Sequence, residues 1–287
     1  MTRFLLLLVQ WTGRLPLAWV RFLGAGLGWA LYLLIASRRR VVQTNLRLCF
    51  PQWSQAQVRR CARQTFVYFA QAWLDRGWLW YAPAEVALKR LKLVGAVQEL
   101  EGDAPTLIFV PHFVGMDAGW AAITQQCRRK FTTIYAAQTN KVVDAWILKG
   151  RKRFGSGRPF DRNTGFKPVL AALRAGEPLC LLPDMNYEPK ESVFVPFYGV
   201  AAATVPSLSR VARMGRAKVI AMVARITPQG YEVEITPAWP DFPTSDLVAD
   251  TALMNVRLQS YIDRSPAQYY WVHKRFKDRP NGEPAPY

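Results

Sequence analysis

Histidine and acidic side chains are scarce in this sequence of 287 residues. It contains two histidines, His112 and His273, and four cysteines, none of which form a C-x-x-C pair. That pattern lacks the usual zinc spacing and, at this size, does not suggest a disulfide framework, so reduced thiols are expected. Only 20 Asp and Glu oppose 38 Lys and Arg, for a net charge of +18. The excess predicts an anionic partner: a membrane surface, a nucleic acid, or a phosphorylated or acidic substrate.

The longest apolar stretch lies near the N-terminus, where residues 16–36 carry a single charge, Arg21. A helix of about 20 apolar residues can cross a bilayer, and Arg21 would then snorkel from one end. A hairpin of interfacial helices without a span is the alternative. Three arginines at 38–40 follow the stretch, which argues against a secretory signal and favours the cytoplasmic side for what comes next. We therefore predict a membrane anchor over residues 1–40 and one domain over residues 41–287.

Predicted strands alternate with predicted helices over the rest of the chain. Short apolar runs indicate strands, and apolar residues at helical spacing indicate amphipathic helices. The predicted strands cover residues 106–110, 131–136, 178–182, 218–225 and 231–235. The predicted helices cover residues 55–80, 117–126, 141–153, 165–175, 205–214 and 246–264. This alternation predicts an α/β fold in which flanking helices cover a mostly parallel or mixed sheet.

A histidine follows the first predicted strand, and an acidic residue follows the histidine, in the sequence His112-Phe-Val-Gly-Met-Asp117. Side chains five residues apart in one helix point about 140° apart, but at a strand-to-helix turn they can meet. There Gly115 would ease the turn, and Asp117 would orient the imidazole of His112 as a general base. The spacing alone is unspecific, because a histidine that only caps a loop has the same pattern.

Three further groups of residues are candidates for binding. Arg151, Arg153 and Arg162 lie in a basic stretch interrupted by glycines, and guanidinium groups suit phosphate oxygens. Asp184 ends the strand-like sequence PLCLLPD, a position where acids often face a cleft. Arg275 lies among aromatic and basic residues, as in sites for single-stranded nucleic acid or phospholipid headgroups. A solvated basic loop and a loop cap are the structural alternatives.

Four longer sequence motifs follow one another along the chain. They are HFVGMD, GRKR, LLPDMNYEPKESVFVPFYG with AAAT after it, and YYWVHKRFKDRPNGEP. Together they resemble the late acyltransferases of lipid A biosynthesis, the lauroyl and myristoyl transferase family. The resemblance extends over most of the chain, and its last two motifs are far more specific than a histidine and an acid five residues apart. It implies an α/β fold like that of the glycerophosphate acyltransferases.

The resemblance also implies an activity and a place in the cell. It implies an inner-membrane enzyme, facing the cytoplasm, that transfers a fatty acyl chain from acyl carrier protein to a hydroxyl of a lipid A precursor. His112 matches the family's catalytic histidine and Asp117 its acid, although many members have Glu there. Arg151 matches a family arginine, and Asp184 matches the acid of a Pro-Asp motif. Met185 departs from the family, in which a polar residue often follows that acid, so this position lacks the polar side chain that would form a hydrogen bond.

The implied mechanism needs no metal or cofactor of its own, because phosphopantetheine arrives on the acyl donor. Arg151, Arg153, Arg162 and Arg275 would bind anionic groups of the lipid A precursor. Membrane lipids are further expected partners, and nucleic acid is not. Two alternatives stay open: acylation of a lysophospholipid or another membrane lipid, and a membrane-tethered cationic module without catalysis, which would be indifferent to loss of His112.

Overall fold

The computed structural model describes residues 2–287, and within them the chain forms ten α-helices and nine β-strands. The helices are α1 (Thr2–Thr12), α2 (Leu17–Leu34), α3 (Ala36–Cys49), α4 (Gln55–Tyr81), α5 (Ala84–Arg90), α6 (Met116–Gln126), α7 (Lys141–Arg151), α8 (Lys167–Arg174), α9 (Ser207–Gly215) and α10 (Leu247–Asp263). The strands are β1 (Leu91–Gly95), β2 (Thr106–Phe109), β3 (Phe131–Tyr135), β4 (Gly157–Asp161), β5 (Leu179–Leu181), β6 (Val193–Phe197), β7 (Val200–Thr204), β8 (Lys218–Thr227) and β9 (Gly230–Ile235).

Seven of these strands form one sheet, in the order β1-β9-β8-β2-β5-β3-β4. Every neighbouring pair is parallel except β8 and β9, which form an antiparallel hairpin. The strands β6 and β7 pair only with each other, as a separate hairpin. The predicted α/β fold with a mostly parallel sheet is therefore confirmed, and β2 and β5 lie side by side within it.

The central strand β2 is completely buried, and its side chains alternate between two halves of the core. Leu107 and Phe109 pack in the half that contains side chains of α4, α8, α9 and α10. Ile108 packs in the other half, with side chains of α5, α6 and α7. Helices on both faces therefore hold the carboxyl end of β2 in place.

The elements predicted from residue 106 onward are found, with ends that differ from the prediction by one or two residues. The helix predicted over residues 55–80 is α4, and a capping box of Ser54 and Gln57 fixes its start. The sequence analysis did not predict α3, β1, β4 or the hairpin of β6 and β7. Of these elements, β1 and β4 enlarge the main sheet, and none of them changes the fold class.

The helix α2 coincides with the apolar stretch at residues 16–36 and, in the described part of the chain, is the one helix long and apolar enough to cross a membrane. Its buried residues Gly24 and Gly28 lie directly against α4, whereas most of its large apolar side chains are exposed. The expected snorkelling of Arg21 is wrong, because its guanidinium forms a 2.8 Å ion pair with buried Asp75 of α4. The N-terminal helices are thus fastened to the body on one side and apolar on the other.

The predicted division at residue 40 falls inside α3, which runs on into the body of the protein. The buried residues of α3 include Val42 and Leu46, which belong to the same core as Phe109. The division into an anchor over residues 1–40 and a catalytic domain over residues 41–287 stays a prediction, and α3 crosses its boundary.

Candidate active site

The carboxyl ends of two neighbouring parallel strands bring His112 and Asp184 together. In the register of β2 and β5, Phe109 lies opposite Leu181, and each of the two polar residues follows its strand by the same short Pro-containing connection. The Nδ1 atom of His112 lies 2.7 Å from Oδ1 of Asp184. Strand pairing, not spacing along the chain, therefore assembles this pair from residues 72 positions apart.

The carboxylate of Asp184 is fully buried, while the side chain of His112 is 21% exposed. The other oxygen of Asp184 accepts hydrogen bonds from the His112 backbone N–H at 2.8 Å and from the Tyr269 hydroxyl at 3.1 Å. Burial raises the pKa of the Asp184 carboxyl, but the charge and hydrogen bonds of His112 outweigh burial and keep that pKa below its usual value. When His112 is neutral, an ionised Asp184 accepts the hydrogen bond of its Nδ1–H, so that Nε2 carries the free lone pair.

The C-terminal segment fixes the backbone around His112. Tyr269 forms a β-bridge with Phe113, and the backbone N–H of Tyr270 donates to the carbonyl oxygen of His112 at 2.9 Å. The backbone N–H of Val114 donates to the carbonyl of Gln268 at 2.9 Å. The loop that carries His112 is therefore held from both sides, a rigidity that positions its imidazole.

The predicted contact between Asp117 and His112 is wrong. Asp117 lies in the first turn of α6 and points toward α4 and α7, where its Oδ2 accepts from Nε and Nη2 of Arg76 at 2.9 and 2.7 Å. Its Oδ1 accepts from Nε of Arg151 at 2.9 Å. The pKa of the Asp117 carboxyl falls to about 2, because the two guanidinium groups outweigh the burial that would raise it.

The position of Gly115 explains part of this geometry. The φ of Gly115 is −83°, which any residue can adopt, so the backbone conformation of the turn does not require a glycine. A Cβ at this position would lie 2.5 Å from the carbonyl oxygen of Ala224 on β8. The glycine therefore lets α6 start directly against the sheet, with Asp117 in its first turn.

Two of the predicted substrate-binding arginines form hydrogen bonds within the protein. Nη1 of Arg153 donates to the carbonyl of Leu79 at 2.6 Å, at the end of α4, and Nη2 donates to that of Ala82. Arg275 is buried and donates to the carbonyl of Ala203 and the hydroxyl of Thr204. Both side chains satisfy backbone or hydroxyl acceptors of the fold, so we remove them from the candidate binding residues.

Arg162 and Arg151 border cavities in the same region as Asp184. A cavity of about 420 Å³ is lined by mostly apolar side chains together with the charged residues Asp161, Arg162 and Glu191, and it includes Pro183 and Met185, the neighbours of Asp184. A smaller cavity of about 90 Å³ lies beside Asp117 and Arg151. Ile134, Cys180 and Leu182 line both cavities. The two cavities therefore share an apolar wall between the Asp117 cluster and the strand end that carries Asp184.

The second histidine has a different environment. Nε2 of His273 accepts a hydrogen bond from the backbone N–H of Asn186 at 3.1 Å. Burial, followed by the nearby positive charge of Arg275, lowers the pKa of His273 to about 4. His273 is therefore neutral at pH 7 and holds the loop after Asp184.

Sequence reasoning missed Arg76 and Tyr269. Arg76 lies among the tryptophans of α4, and its guanidinium packs over the ring of Trp73 at 4.2 Å. In the sequence, nothing distinguishes this position from any other on an amphipathic helix that packs on the core. Tyr269 is the first residue of the C-terminal motif, and burial and Asp184 raise its pKa well above the usual value. The repeated pattern of an apolar strand, proline and a polar residue, at His112 and Asp184, was the one available signal for the true pair.

The protein thus has an α/β fold in which a carboxylate-held histidine lies at the carboxyl edge of a mostly parallel sheet, an arrangement that could act in general acid–base chemistry. The family model described as bacterial lipid A biosynthesis acyltransferase matches residues 2–278. The chain therefore belongs to this family of acyltransferases.

Individual relatives agree with the family match. The chain is 31% identical to a lipid A biosynthesis acyltransferase of Haemophilus influenzae, over 86% of this chain and 78% of the relative. It is 29% identical to the lipid A biosynthesis lauroyltransferase of Escherichia coli, over 96% and 90% of the two chains. It is 30% identical to the myristoyltransferase of the same organism, over 88% and 79%. Among solved structures, it is similar to a 1-acyl-sn-glycerophosphate acyltransferase of Thermotoga maritima, with 11% identity, a TM-score of 0.41, and coverage of 85% and 97%.

Proposed function

We propose that this protein transfers a fatty acyl chain from acyl carrier protein to a hydroxyl of a lipid A precursor, with His112 as the general base. The observation that carries the proposal is the hydrogen bond of Nδ1 to buried Asp184, which leaves Nε2 of a partly exposed ring for the substrate. The names of the relatives, which include a lauroyltransferase and a myristoyltransferase of lipid A biosynthesis, support the reaction type.

The chemistry is a direct transfer that needs no enzyme nucleophile. Nε2 of His112 removes the proton of the acceptor hydroxyl while the oxygen attacks the thioester carbonyl. A C–O bond forms, the C–S bond breaks, and the imidazolium returns the proton to the leaving phosphopantetheine thiolate. Asp184 keeps the correct tautomer and stabilises the imidazolium, as the acid of a catalytic triad does. This assignment replaces Asp117 in the role that the sequence predicted for it.

The cluster of Arg76, Asp117 and Arg151 has two positive charges and one negative charge. Asp117 fixes both guanidinium groups, and Nη1 of Arg76 is buried without a hydrogen-bond partner. An unpaired buried donor is costly, and a phosphate oxygen would satisfy it. The cluster is therefore our candidate site for a phosphate of the lipid A precursor, and Arg162 at the mouth of the larger cavity is a second contact.

The apolar cavities beside Asp184 are the candidate path for the acyl chain. Their shared side chains Ile134, Cys180 and Leu182 lie between the Asp117 cluster and Arg162. An alkyl chain in this space would exchange water for apolar contacts, which stabilises binding by about 0.8 kcal/mol per buried methylene.

The surface suits membrane attachment and an acidic donor protein. Exposed apolar side chains of α1 and α2 include Phe4, Leu8, Phe22 and Leu34, and they would enter a bilayer while α4 holds the opposite face. We place the enzyme at the inner membrane with its site toward the cytoplasm. The net charge of +18 favours the acidic surface of acyl carrier protein.

The test is acyl transfer by the purified protein in detergent, from acyl carrier protein to a lipid A precursor, with the product identified by mass spectrometry. His112→Ala should lower kcat about 10²–10⁴-fold, the usual contribution of a general base. His112→Gln should be as inactive and yet keep the wild-type melting temperature, because its amide can still donate to Asp184.

Three results would count against the proposal. Activity of His112→Ala within a few-fold of wild type would reject the general base. Exclusive labelling of a lysophospholipid in membranes given labelled acyl donor would reject the acceptor. Transfer from a soluble acyl thioester but never from acyl carrier protein would reject the donor.

A further inference from the structure

A cavity of about 980 Å³ lies at the turn between α1 and α2, where these helices meet the end of α4 and the start of α5. Its lining is distinct from that of the cavities beside Asp184 and Asp117, since the residue sets do not overlap. Its volume is at the upper end of the range for sites that hold small molecules, about 300–1,000 Å³. It is therefore large enough to hold a small molecule at a place separate from the acyl-transfer site.

The charged groups of this cavity are both arginines. Arg14 is exposed on the turn after α1, and Arg90 ends α5, half-buried over the ring of Trp78 at 5.2 Å. Nη1 of Arg90 is buried without a hydrogen-bond partner. No acidic residue is among the lining residues of the described chain. The cavity lining thus carries two positive charges and no negative charge.

The buried carboxylate of Asp75 attracts Arg90 but is already paired with other groups. Asp75 already receives an ion pair from Arg21 at 2.8 Å and hydrogen bonds from Trp78 and Tyr231 at 2.8 and 2.7 Å. Burial, together with the positive charge of Arg21, lowers the pKa of Arg90 despite the attraction of Asp75. A ligand that brings its own negative charge would relieve this imbalance.

The remaining walls are apolar or aromatic. Leu7 and Trp11 are 58% and 54% exposed on α1, and both line the cavity. They continue the apolar surface formed by Phe4 and Leu8. The hydroxyl oxygen of Tyr81 accepts from the Gln10 amide at 3.2 Å, so its O–H can donate to a ligand. A lining that combines two arginines and a hydroxyl with exposed apolar side chains of α1 suits an amphiphile with an anionic head.

We infer that this cavity binds the phosphate headgroup of an anionic membrane phospholipid, with Arg14 and Arg90 as its ligands and the acyl chains along α1. The inference rests on the membrane attachment proposed above. Such a site would fix the depth and rotation of the enzyme in the bilayer, beyond general attraction to negative charge. Arg153, which donates to the carbonyl of Ala82 in the cavity wall, would keep the site in shape.

The test measures binding of monomeric dihexanoyl phosphatidylglycerol to the purified full chain by titration calorimetry. The double variant Arg14→Gln/Arg90→Gln should weaken binding at least about tenfold, because it removes both charged hydrogen-bond donors of the cavity lining. The matched control is Arg3→Gln/Arg59→Gln, which removes the same charge from exposed positions of α1 and α4 outside the cavity. It should bind as wild type does.

Further arms separate the possible sources of the phosphate. Inorganic phosphate should compete weakly, and dihexanoyl phosphatidylcholine should bind less tightly than the phosphatidylglycerol. Acyl transfer in detergent should be unchanged in Arg14→Gln/Arg90→Gln. Equal loss of binding in both double variants, no binding by wild type, or equal affinity for inorganic phosphate would overturn the inference. A raised KM for the lipid A precursor would also overturn it, because the cavity would then serve the acceptor. These binding arms need no catalysis, so their failure is distinguishable from failure of the proposed function.

Discussion

Asp117 and Asp184 are both buried carboxylates of one site, and they have different partners. Asp184 accepts from the imidazole of His112, whereas Asp117 accepts from Arg76 and Arg151. A carboxylate that faces a histidine sets the tautomer and stabilises the imidazolium. A carboxylate between two guanidinium groups fixes their positions. Substitution of Asp117 and substitution of Asp184 should therefore have different effects on the kinetics.

Asp184→Asn should lower kcat by about 10²–10⁴-fold, since the amide can donate to Nδ1 and leave the proton on Nε2. It should also move the acid limb of the pH–rate profile to lower pH, because a neutral amide stabilises an imidazolium less. Asp117→Asn is the matched comparison, and its acid limb should stay in place while KM for the acceptor rises. Steady-state kinetics between pH 5 and pH 9 would check both. The opposite assignment of the two effects would restore the Asp117 role expected from the sequence.

Tyr269 acts on His112 through Asp184, as a positioning residue. Tyr269→Phe removes one hydrogen bond to the carboxylate, which leaves more negative charge for the imidazolium. The acid limb of the pH–rate profile should then move to higher pH by up to about one unit, from the net value of one hydrogen bond.

Tyr231→Phe is the control for Tyr269→Phe. Tyr231 is also buried and donates to a carboxylate, that of Asp75, at 2.7 Å. The two variants should have similar losses in melting temperature, but only Tyr269→Phe should change the pH–rate profile. A profile identical to that of wild type would show that Tyr269 serves only the fold.

Among the strands of the main sheet, the buried ones were predictable and the two edge strands, β1 and β4, were not. β2 and β5 are short apolar runs followed by proline, so the sequence marks them clearly. β4 is an edge strand with the sequence GRPFD, whose proline is tolerated at an edge and whose polarity hides the strand. Periodicity reports burial, and an edge strand buries too little for its pattern to appear.

The order of the strands in the sheet was beyond the sequence pattern, and the site depends on it. His112 meets Asp184 only because β5 lies beside β2, and Arg76 reaches Asp117 from a helix 41 residues earlier in the chain. No local spacing encodes such neighbours. The residues His112, Asp117, Arg151 and Asp184 were predicted as members of the site, while their pairing required the fold.

The contact between α2 and α4 requires a glycine at position 28 but not at position 26. A Cβ on Gly28 would lie 2.4 Å from Cα of Val67, whereas a Cβ on Gly26 would meet nothing within 4 Å. Gly28→Ala should lower the free energy of unfolding by about 1–3 kcal/mol, the usual effect of overpacking. Gly26→Ala should raise it slightly, because alanine favours helix by about 1 kcal/mol. Thermal unfolding in detergent would check the pair, and equal effects would show that α2 does not pack on α4 in solution.

For the molecule as a whole, the dominant physical feature is its charge. The 38 basic residues exceed the 20 acidic ones, while one side of α1 and α2 stays apolar. Apolar insertion and positive charge act together at a surface of anionic lipid, at roughly 1 kcal/mol per basic residue near the surface. The same charge would attract an acidic donor protein from solution.

The charge predicts how the reaction depends on salt. Attraction between oppositely charged proteins raises association rates by about 10–10³-fold and is screened by ions. Raising the salt concentration should therefore increase KM for acyl carrier protein by about tenfold, with kcat nearly constant. An acyl-pantetheine thioester without charge is the control donor, and its KM should hardly change. If both donors responded alike, the salt would be acting on the acceptor site or on the fold, and the basic surface would have no role in recognising the donor protein.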